Sequence, residues 1–355
     1  MYNVQFPGLG IKVKINPVAF SIGNFAIKWY GVIIAVGFIL AFIYALKCCK
    51  RFNVNEDKFI DCMIAGIIGG IIGARLYYVI FYTGSEFLDN PASIFNIREG
   101  GLGIYGGIIG GLICGALVAK WRKLSIPAVL DIASLGFLIG QAAGRWGNFV
   151  NQEAFGSQTN LPWRMVSENT EMVAPGGVHP CFLYESLWCV IGFVLLHFFS
   201  RKLRRYDGQT FLLYTLWYGI GRFFIEGLRT DSLMTPYLPL RVSQVVAAAA
   251  VIASVVLLIV FRKRTVLTGC GAPYIMDLNA IAVEIPQNAE DKDKEDNSDD
   301  DADDDGPSTL FASGEDTDKV QVQNFKDNGG KADTDGSEND LPADTDNDKS
   351  SSENN

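Results

Sequence analysis

A short polar stretch follows one of the most apolar segments of this chain, and its side chains could bind a phosphate. It covers residues 144–156 (GRWGNFVNQEAFG) and includes Arg145, Asn148 and Glu153. Ionisable side chains are costly at membrane depth, so their presence there usually reflects a function. The planar guanidinium of Arg145 can donate two parallel hydrogen bonds to phosphate oxygens. The stretch is therefore a candidate phosphate-binding element.

A second polar stripe lies further along the chain. Tyr218, Arg222 and Glu226 are four residues apart, and Arg229 follows three residues later. Residues with this spacing share one face of a helix. Arg222 and Glu226 could simply neutralise each other within the membrane. Alternatively, Arg145 and Arg222 together clamp a phosphate diester such as a phospholipid head group, and Glu226 orients Arg222.

Apolar segments of the right length surround these stripes. A membrane-spanning helix needs roughly 17–25 mostly apolar residues. The sequence therefore predicts an all-α integral membrane protein with seven transmembrane helices, of which the sixth is short and polar at its end. Glycines four residues apart in the second and third predict close packing of those two helices. The seven spans lie at about 27–46, 59–82, 101–119, 126–143, 181–199, 210–225 and 242–261.

The basic residues between the spans predict the orientation. Fourteen lysines and arginines follow the first, third, fifth and seventh spans, against eight on the other side (Lys12, Lys14, Lys28, Arg98, Arg145, Arg164, Arg229 and Arg241). The richer side is normally cytoplasmic, so the N-terminus is expected outside and the C-terminus inside. Polar groups from six spans then meet at the outer level, which favours a chamber open to the outer leaflet. They include Tyr30, Arg75, Tyr105, Arg145, His179, Glu185, Arg222 and Glu226.

The charge changes sign towards the C-terminus. Up to residue 274 the chain has a net charge of +10, and residues 275–355 have a net charge of −19, which together give −9. The acidic segment has almost no aromatic residues and cannot bury enough apolar surface to fold. We therefore predict two parts: a membrane catalytic domain (1–274) and a disordered acidic cytoplasmic tail (275–355). Nothing in the composition suggests a nucleic-acid partner.

Metal and disulfide frameworks are not predicted. The chain has two histidines, His179 and His197, and its seven cysteines form no CxxC pair or zinc-like spacing. Residues 267–270 (LTGC) look like a lipobox, the motif at which bacterial lipoproteins are lipidated. Because three basic residues separate this motif from the last apolar run, and because it is predicted on the cytoplasmic side, we do not expect it to be modified.

Four motifs resemble the signature of the prolipoprotein diacylglyceryl transferase family. They are residues 144–156, 218–229 (YGIGRFFIEGLR), 179–185 (HPCFLYE) and 29–31 (WYG), and the resemblance covers roughly residues 20–262. It implies an enzyme of the bacterial plasma membrane that acts without a cofactor. Such enzymes move the diacylglyceryl group of phosphatidylglycerol to the lipobox cysteine of preprolipoproteins, on the outer face. A thioether forms and glycerol phosphate leaves, in the first step of lipoprotein maturation.

The resemblance also implies site residues. The positions important in the family fall on Tyr30, Arg145, Asn148, Glu153, Gly156, Tyr218, Arg222 and Glu226. To these the outer cluster adds Tyr105, His179 and Arg229. We expect catalytic roles for Arg145, Arg222, Glu226, Tyr105 and Tyr218, and substrate binding by Arg145, Asn148, Glu153, Gly156, Tyr30, His179 and Arg229. In this hypothesis Glu153 and Glu226 hold the arginines, and Gly156 permits a turn or a close backbone approach.

Tyr105 departs from the family pattern. The family commonly has a histidine, a proposed catalytic base, before the paired glycines where this chain has Tyr105. Tyrosine is a poor base near neutral pH because its ordinary pKa is about 10. We therefore expect Tyr105 to support the reaction rather than to take the proton.

Three other classes of protein are weighed against a transferase. A transporter would carry polar groups through the full membrane depth, whereas the inner halves of these spans are nearly free of charge. A seven-span receptor or scaffold would not require the signature. A phospholipid hydrolase is hardest to exclude, since water could replace the thiol in the same chamber.

Overall fold

The computed structural model of the protein describes residues 1–276, apart from 24, 83, 85, 86, 88, 89, 97–99, 232, 233 and 235–239. Arg98 and all but the first two residues of the predicted acidic tail lie outside the described residues. The described chain is mostly helical, as the sequence predicted. Its helices are α1 (Trp29–Arg51), α2 (Glu56–Ile80), α3 (Ile104–Trp121), α4 (Ile126–Asn151), α5 (Glu168–Val173), α6 (Cys181–Lys202), α7 (Gln209–Leu228) and α8 (Val242–Val260).

Six of the helices in the described chain are long and apolar enough to cross a membrane, namely α1, α2, α3, α4, α6 and α8 with its extension to Lys263. The prediction of a multi-pass helical membrane protein is confirmed at that level. Helix α7 corresponds to the sixth predicted span. It has 20 residues, but it is less apolar than the others and carries Arg222 and Glu226.

Helix starts follow from local capping. The side chain of Asn55 accepts a hydrogen bond from the amide of Lys58 and caps α2. Ser125 caps α4 in the same way through the amide of Ala128, and Pro127 occupies its first turn. The two capping side chains satisfy amides that have no partner within the helix, and proline in the first turn has no amide N–H that would need one.

Helices α2 and α3 form a close pair. A side chain at Gly73 or Gly110 would overlap the backbone of the facing helix, so the two backbones touch at these positions. Small residues allow such contact in a membrane, where no hydrophobic effect drives helices together. The glycine spacing predicted this packing.

Short strands form a cap at one end of the helices. Strand β1 (Tyr2–Phe6) pairs with β2 (Ile11–Ile15) and with β5 (Val166–Ser167), and β3 (Val18–Ile22) pairs with β4 (Phe25–Lys28). All these pairs are antiparallel. The cap has its own apolar core, formed by Val4, Ile15, Phe155, Met165, Val178 and Phe182.

The opposite end is closed around a fully buried arginine. The side chain of Arg204, which is 0% exposed, pairs with Asp131 (3.0 Å) and Asp207 (3.5 Å). Its guanidinium also donates to the backbone carbonyls of Thr268 and Cys270. We call Arg204, Asp131, Asp207, Thr268 and Cys270 the Arg204 cluster. It fastens the segment after α8 to the helices.

The lipobox-like residues 267–270 belong to this cluster. The amide of Cys270 donates to the carbonyl of Arg51 at 2.8 Å. Gly269 has φ +75°, and a side chain there would overlap the backbone of Arg51 and Phe52. The segment continues to the buried Ile275. These contacts hold the motif in a tight turn at the end of the helices away from the cap.

Candidate active site

Two arginines meet on one carboxylate at the capped end of the helices. Arg145, in the last two turns of α4, pairs through Nε with Glu185 Oε2 at 2.7 Å. Arg222 of α7 donates from Nη1 to Glu185 Oε1 at 2.8 Å. Glu185 lies in the second turn of α6, so three helices contribute to one ionic bridge. Both oxygens of the Glu185 carboxylate are engaged, one by each arginine.

A second carboxylate extends the bridge along α7. Glu226 Oε2 lies 2.7 Å from Arg222 Nη2 and 3.7 Å from Arg229 Nη1. The shorter contact is an ion pair without hydrogen-bond alignment. Arg229 in turn makes two hydrogen bonds to Asp231, of 3.0 and 2.8 Å. Arg241 donates to the backbone carbonyl of Glu226. We call Arg145, Glu185, Arg222, Glu226 and Arg229 the Arg145 cluster.

Arg145 and Arg222 each have a hydrogen-bond donor without a partner in the described part of the protein. Among the described residues, Nη2 of Arg145 and Nε of Arg222 have no hydrogen-bond partner. Both side chains are 19% exposed, whereas the side chain of Glu185 is only 5% exposed. A guanidinium that is held through some of its nitrogens can still donate to an anion from the remaining nitrogen. The geometry therefore suits a phosphate.

Asn148 and Glu153 form a branch beside Arg145. Arg145 Nη1 donates to Asn148 Oδ1 at 3.3 Å, and Asn148 Nδ2 donates to Glu153 Oε1 at 2.8 Å. The chain reverses here because Gln152 and Ala154 adopt positive φ values of 57° and 56°. Such angles are uncommon for residues other than glycine and often mark functional sites. Contrary to the expectation that Glu153 holds an arginine, Glu153 reaches Arg145 through Asn148, and Glu185 is the carboxylate on Arg145.

Two tyrosines border the cluster. The ring of Tyr30 packs against Gly147, where an added Cβ would lie 2.8 Å from the ring carbon Cδ2. Tyr30 is within electrostatic reach of Glu153 and Arg145. Tyr218 is within reach of Arg145, Glu185 and Arg222. Both predicted tyrosines therefore lie near the Arg145 cluster, without a hydrogen bond to its arginines among the described contacts.

Gly156 and His179 join the cap to α7. The amide of Gly156 donates to the carbonyl of His179 at 2.9 Å, and the next amide donates to Leu228 at 2.7 Å. A Cβ at Gly156 would lie 2.7 Å from Cβ of His179, so the site requires a close backbone approach. The His179 ring contacts Tyr184 rather than an arginine. Burial lowers the pKa of His179 below its ordinary 6.5.

Tyr105 lies at the same end but is joined to other residues. Its hydroxyl donates to Ser243 at 3.5 Å, and its ring packs near Tyr77. Within the described part of the chain, no contact of Tyr105 leads to the Arg145 cluster.

Arg75 also lies apart from the site. Its guanidinium donates to the carbonyls of Ser93, Ile94, Gly100 and Gly101 and so holds the segment between α2 and α3.

Glu185 is the residue whose part in the site the sequence did not reveal. Its depth placed it among the outer polar groups, but nothing in the sequence assigned it a partner. The usable signal was its type: an acidic side chain within a membrane segment must be paired. The two cations that it contacts, Arg145 and Arg222, lie about 40 positions away in the chain, and their pattern in the sequence favoured a phosphate as the ligand of both.

Known proteins and a family model resemble this chain over most of the described region. The sequence model of the family described as prolipoprotein diacylglyceryl transferase matches residues 17–260. A protein of Clostridioides difficile is 43% identical over 250 residues, covering 70% of this chain and 97% of that protein. One from Bacillus mycoides is 43% identical over 264 residues (72% and 95%). Another from Finegoldia magna is 43% identical over 252 residues (71% and 98%).

All three relatives bear the name phosphatidylglycerol--prolipoprotein diacylglyceryl transferase. The matched region contains α1, α2, α3, α4, α6, α7 and α8, and with them every residue of the Arg145 cluster. The resemblance of the four motifs is thereby confirmed. The chain belongs to the prolipoprotein diacylglyceryl transferase family.

Proposed function

We propose that this protein transfers the diacylglyceryl group of phosphatidylglycerol to the lipobox cysteine of preprolipoproteins, the first step of lipoprotein maturation. The observation that carries the proposal is the bridge of Arg145 and Arg222 on Glu185, which leaves guanidinium donors for a phosphate. This bridge lies within the region that matches the family. As the family resemblance implies, the proposal involves no metal or cofactor.

The reaction is a displacement at carbon. The cysteine thiol loses its proton, and the thiolate attacks the glyceryl carbon that is bonded to the phosphate oxygen. The new C–S bond forms as the C–O bond breaks, and glycerol phosphate leaves with the bonding electrons. The phosphodiester carries one negative charge and the leaving phosphate monoester gains a second. Groups that bind this added charge lower the barrier because they bind the transition state more strongly than the substrate.

Arg145 and Arg222 are placed to bind that charge. In the proposal, Nη2 of Arg145 and Nε of Arg222 contact the phosphate oxygens, while Glu185 keeps the two guanidiniums in position. Glu226 holds Arg222, and Asn148 with Glu153 supports Arg145. Tyr30 and Tyr218 border the head group, with Gly156, His179 and Arg229 shaping the entrance from the cap.

The mechanism also requires the substrate cysteine thiol to lose its proton before it attacks. A cysteine thiol has an ordinary pKa of about 8.5, which an electropositive site lowers further. We propose that the substrate thiol ionises without Tyr105 as the base, since the Tyr105 hydroxyl contacts Ser243. Comparison of Tyr105→Phe with Tyr105→His across pH tests this. Loss of all activity in the phenylalanine variant, with recovery in the histidine variant, would make position 105 the base.

The membrane arrangement is part of the proposal. We place seven spans, α1–α4 and α6–α8, in the bacterial plasma membrane, with the Arg145 cluster at the outer leaflet and the Arg204 cluster at the cytoplasmic side. The larger number of basic residues near the Arg204 end supports this orientation. Residues 1–274 would form the catalytic domain, to which the buried Ile275 also belongs, and the acidic residues that follow would form a cytoplasmic tail. Phosphatidylglycerol and the signal peptide would both reach the site from the membrane.

The test uses purified protein in phosphatidylglycerol bilayers with a synthetic lipobox peptide. The peptide mass and the release of glycerol phosphate are followed together. We expect a diacylglyceryl mass gain on the cysteine, absent with a Cys-to-Ser peptide and with Arg145→Ala. Glycerol phosphate released without peptide modification would indicate a hydrolase. If folded protein forms neither product, the transferase and the hydrolase are both contradicted, and a transporter or receptor is favoured.

A further inference from the structure

Two tryptophans join α6 and α7 through reciprocal hydrogen bonds. Trp188 Nε1 donates to the backbone carbonyl of Trp217, and Trp217 Nε1 donates to that of Trp188, both at 2.9 Å. The two rings stack with centroids 4.3 Å apart and planes 15° from parallel. An indole N–H inside a membrane-spanning helix needs an acceptor, and each ring has one on the facing helix.

Two glycines make room for this pair. Gly192 and Gly221 each lie four residues after a tryptophan, on the same helix face. A side chain at Gly221 would overlap the Trp188 indole, and one at Gly192 would overlap the Trp217 indole. Since neighbouring helix positions differ by about 1.5 Å along the axis, a slip by one residue would place a side chain where an indole lies. The pair therefore fits one register of the two helices.

That register brings the ionic bridge together. Glu185 lies three residues before Trp188, and Arg222 directly follows Gly221. The 2.8 Å hydrogen bond between Arg222 and Glu185 could not survive a slip of about 1.5 Å, because hydrogen bonds weaken steeply with distance. In a membrane the hydrophobic effect does not hold helices in register, so specific contacts must do so.

We propose that Trp188 and Trp217 are positioning residues for diacylglyceryl transfer, which act by fixing the register of α6 and α7 at which Glu185 meets Arg222. The proposal rests on the proposed role of Arg145 and Arg222 as the phosphate site. Each tryptophan donates a hydrogen bond to the facing helix, and the pair affects the reaction by placing Glu185 against Arg222. A purely structural tryptophan pair would affect stability alone.

The test measures turnover per folded molecule for Trp188→Phe, Trp217→Phe and the double variant in phosphatidylglycerol bilayers with a lipobox peptide. Phenylalanine keeps an aromatic contact and removes the N–H donor. We expect kcat of the double variant to fall roughly 10- to 100-fold, the scale expected when reacting groups are misplaced by about 1 Å. The KM for phosphatidylglycerol should change much less. Trp121→Phe, at a position 75% exposed, should match the wild type.

Two further variants separate positioning from stability. If the tryptophans act through Glu185, adding Glu185→Gln to the double variant should slow it no further than Glu185→Gln alone, because coupled residues are not additive. Gly221→Ala should reduce kcat, whereas Gly140→Ala, where a Cβ meets nothing within 4 Å, should not. Additive effects, or a double variant with lowered thermal stability and wild-type kcat per folded molecule, would overturn the proposal.

A measurement on Arg222→Gln distinguishes this inference from the function on which it rests. If Arg222→Gln keeps full turnover, the proposed phosphate site is wrong and the positioning role falls with it. If Arg222→Gln is inactive while the double tryptophan variant turns over normally, only the positioning role is wrong.

Discussion

The protein has two clusters centred on arginines, at opposite ends of its helices, and they differ in what the arginines bind. Arg204 is 0% exposed, and its guanidinium donates to fixed backbone carbonyls as well as to Asp131. Arg145 and Arg222 are 19% exposed and are anchored by carboxylate and amide side chains. In the Arg145 cluster, Nη2 of Arg145 and Nε of Arg222 donate no hydrogen bond to the described chain.

This difference shows how one residue type serves two purposes. Backbone carbonyls cannot rotate away from a guanidinium, so an arginine that they enclose is committed to holding the fold. The side-chain partners contact Arg145 and Arg222 through some of the guanidinium nitrogens and leave Nη2 of Arg145 and Nε of Arg222 to donate to an anion. We infer that the Arg204 cluster closes the structure and that the Arg145 cluster binds the substrate phosphate.

Apart from substitution of the arginines themselves, the largest effect on activity is expected for Glu185→Gln. The amide cannot bridge two guanidiniums as the carboxylate does, so kcat should fall roughly 10- to 100-fold through misalignment. The KM for phosphatidylglycerol should not rise, because the site becomes more positive. Steady-state kinetics in bilayers of varied phosphatidylglycerol content measure both. Asp61→Asn, which removes the partner of Arg122 at the other end, is the matched control and should leave kcat unchanged.

Arg204→Leu should instead lower stability. The change takes the cationic partner from Asp131, itself 0% exposed, and leaves its carboxylate only the amides of Gly208 and Phe211 among the described residues. Breaking a buried ion pair in this way costs about 3–5 kcal/mol. Unfolding in detergent would show this as a lower midpoint, with turnover per folded molecule unchanged. Wild-type stability in this variant would mean that the Arg204 cluster does not hold the fold.

Truncated chains test where the folded membrane domain ends and the acidic segment begins. A chain that ends at Arg264 loses the carbonyls of Thr268 and Cys270 that accept from Arg204. Because buried donors without partners cost about 1–3 kcal/mol, its unfolding midpoint should fall. A chain that ends at Met276 keeps these contacts and should match the full chain in stability and turnover. Equal stability of the two truncated chains would contradict this role of the segment.

The smallest effect concerns pH at the cap. Burial lowers the pKa of His179 below 6.5, so the folded state binds its proton less readily than the unfolded state. Stability should therefore decrease as the pH falls below about 6.5, where the unfolded histidine takes up a proton. Thermal unfolding between pH 7.5 and 5 would measure the decrease, and His179→Gln should reduce it. An unchanged slope in that variant would exclude His179 as the source.

The sequence predicted the helices well because bilayer thickness sets their length. It predicted the pairing of Arg222 with Glu226 because four-residue spacing places both on one helix face. It did not predict that Glu185 bridges Arg145 and Arg222, since this depends on how α4, α6 and α7 cross. No spacing rule applies to residues about 40 positions apart.

Other misses have similar causes. Arg204 counted as a cytoplasmic loop cation, because the positive-inside rule considers the number of charges and not their burial. The strands were not predicted, since β1–β4 are short and β1 completes its sheet with β5, some 160 residues away. The sequence therefore specified the segments, and their packing determined which polar groups met.

The most direct test of the two-cluster account compares the turnover per folded molecule of Arg145→Lys with that of Arg204→Lys. Lysine keeps the charge and loses the planar fork in both. We predict that Arg145→Lys folds with wild-type stability and loses roughly 100- to 1,000-fold in kcat, as when a transition-state donor is removed. Arg204→Lys should be less stable and turn over normally once folded. Full turnover by Arg145→Lys would contradict the claim that its guanidinium binds the phosphate.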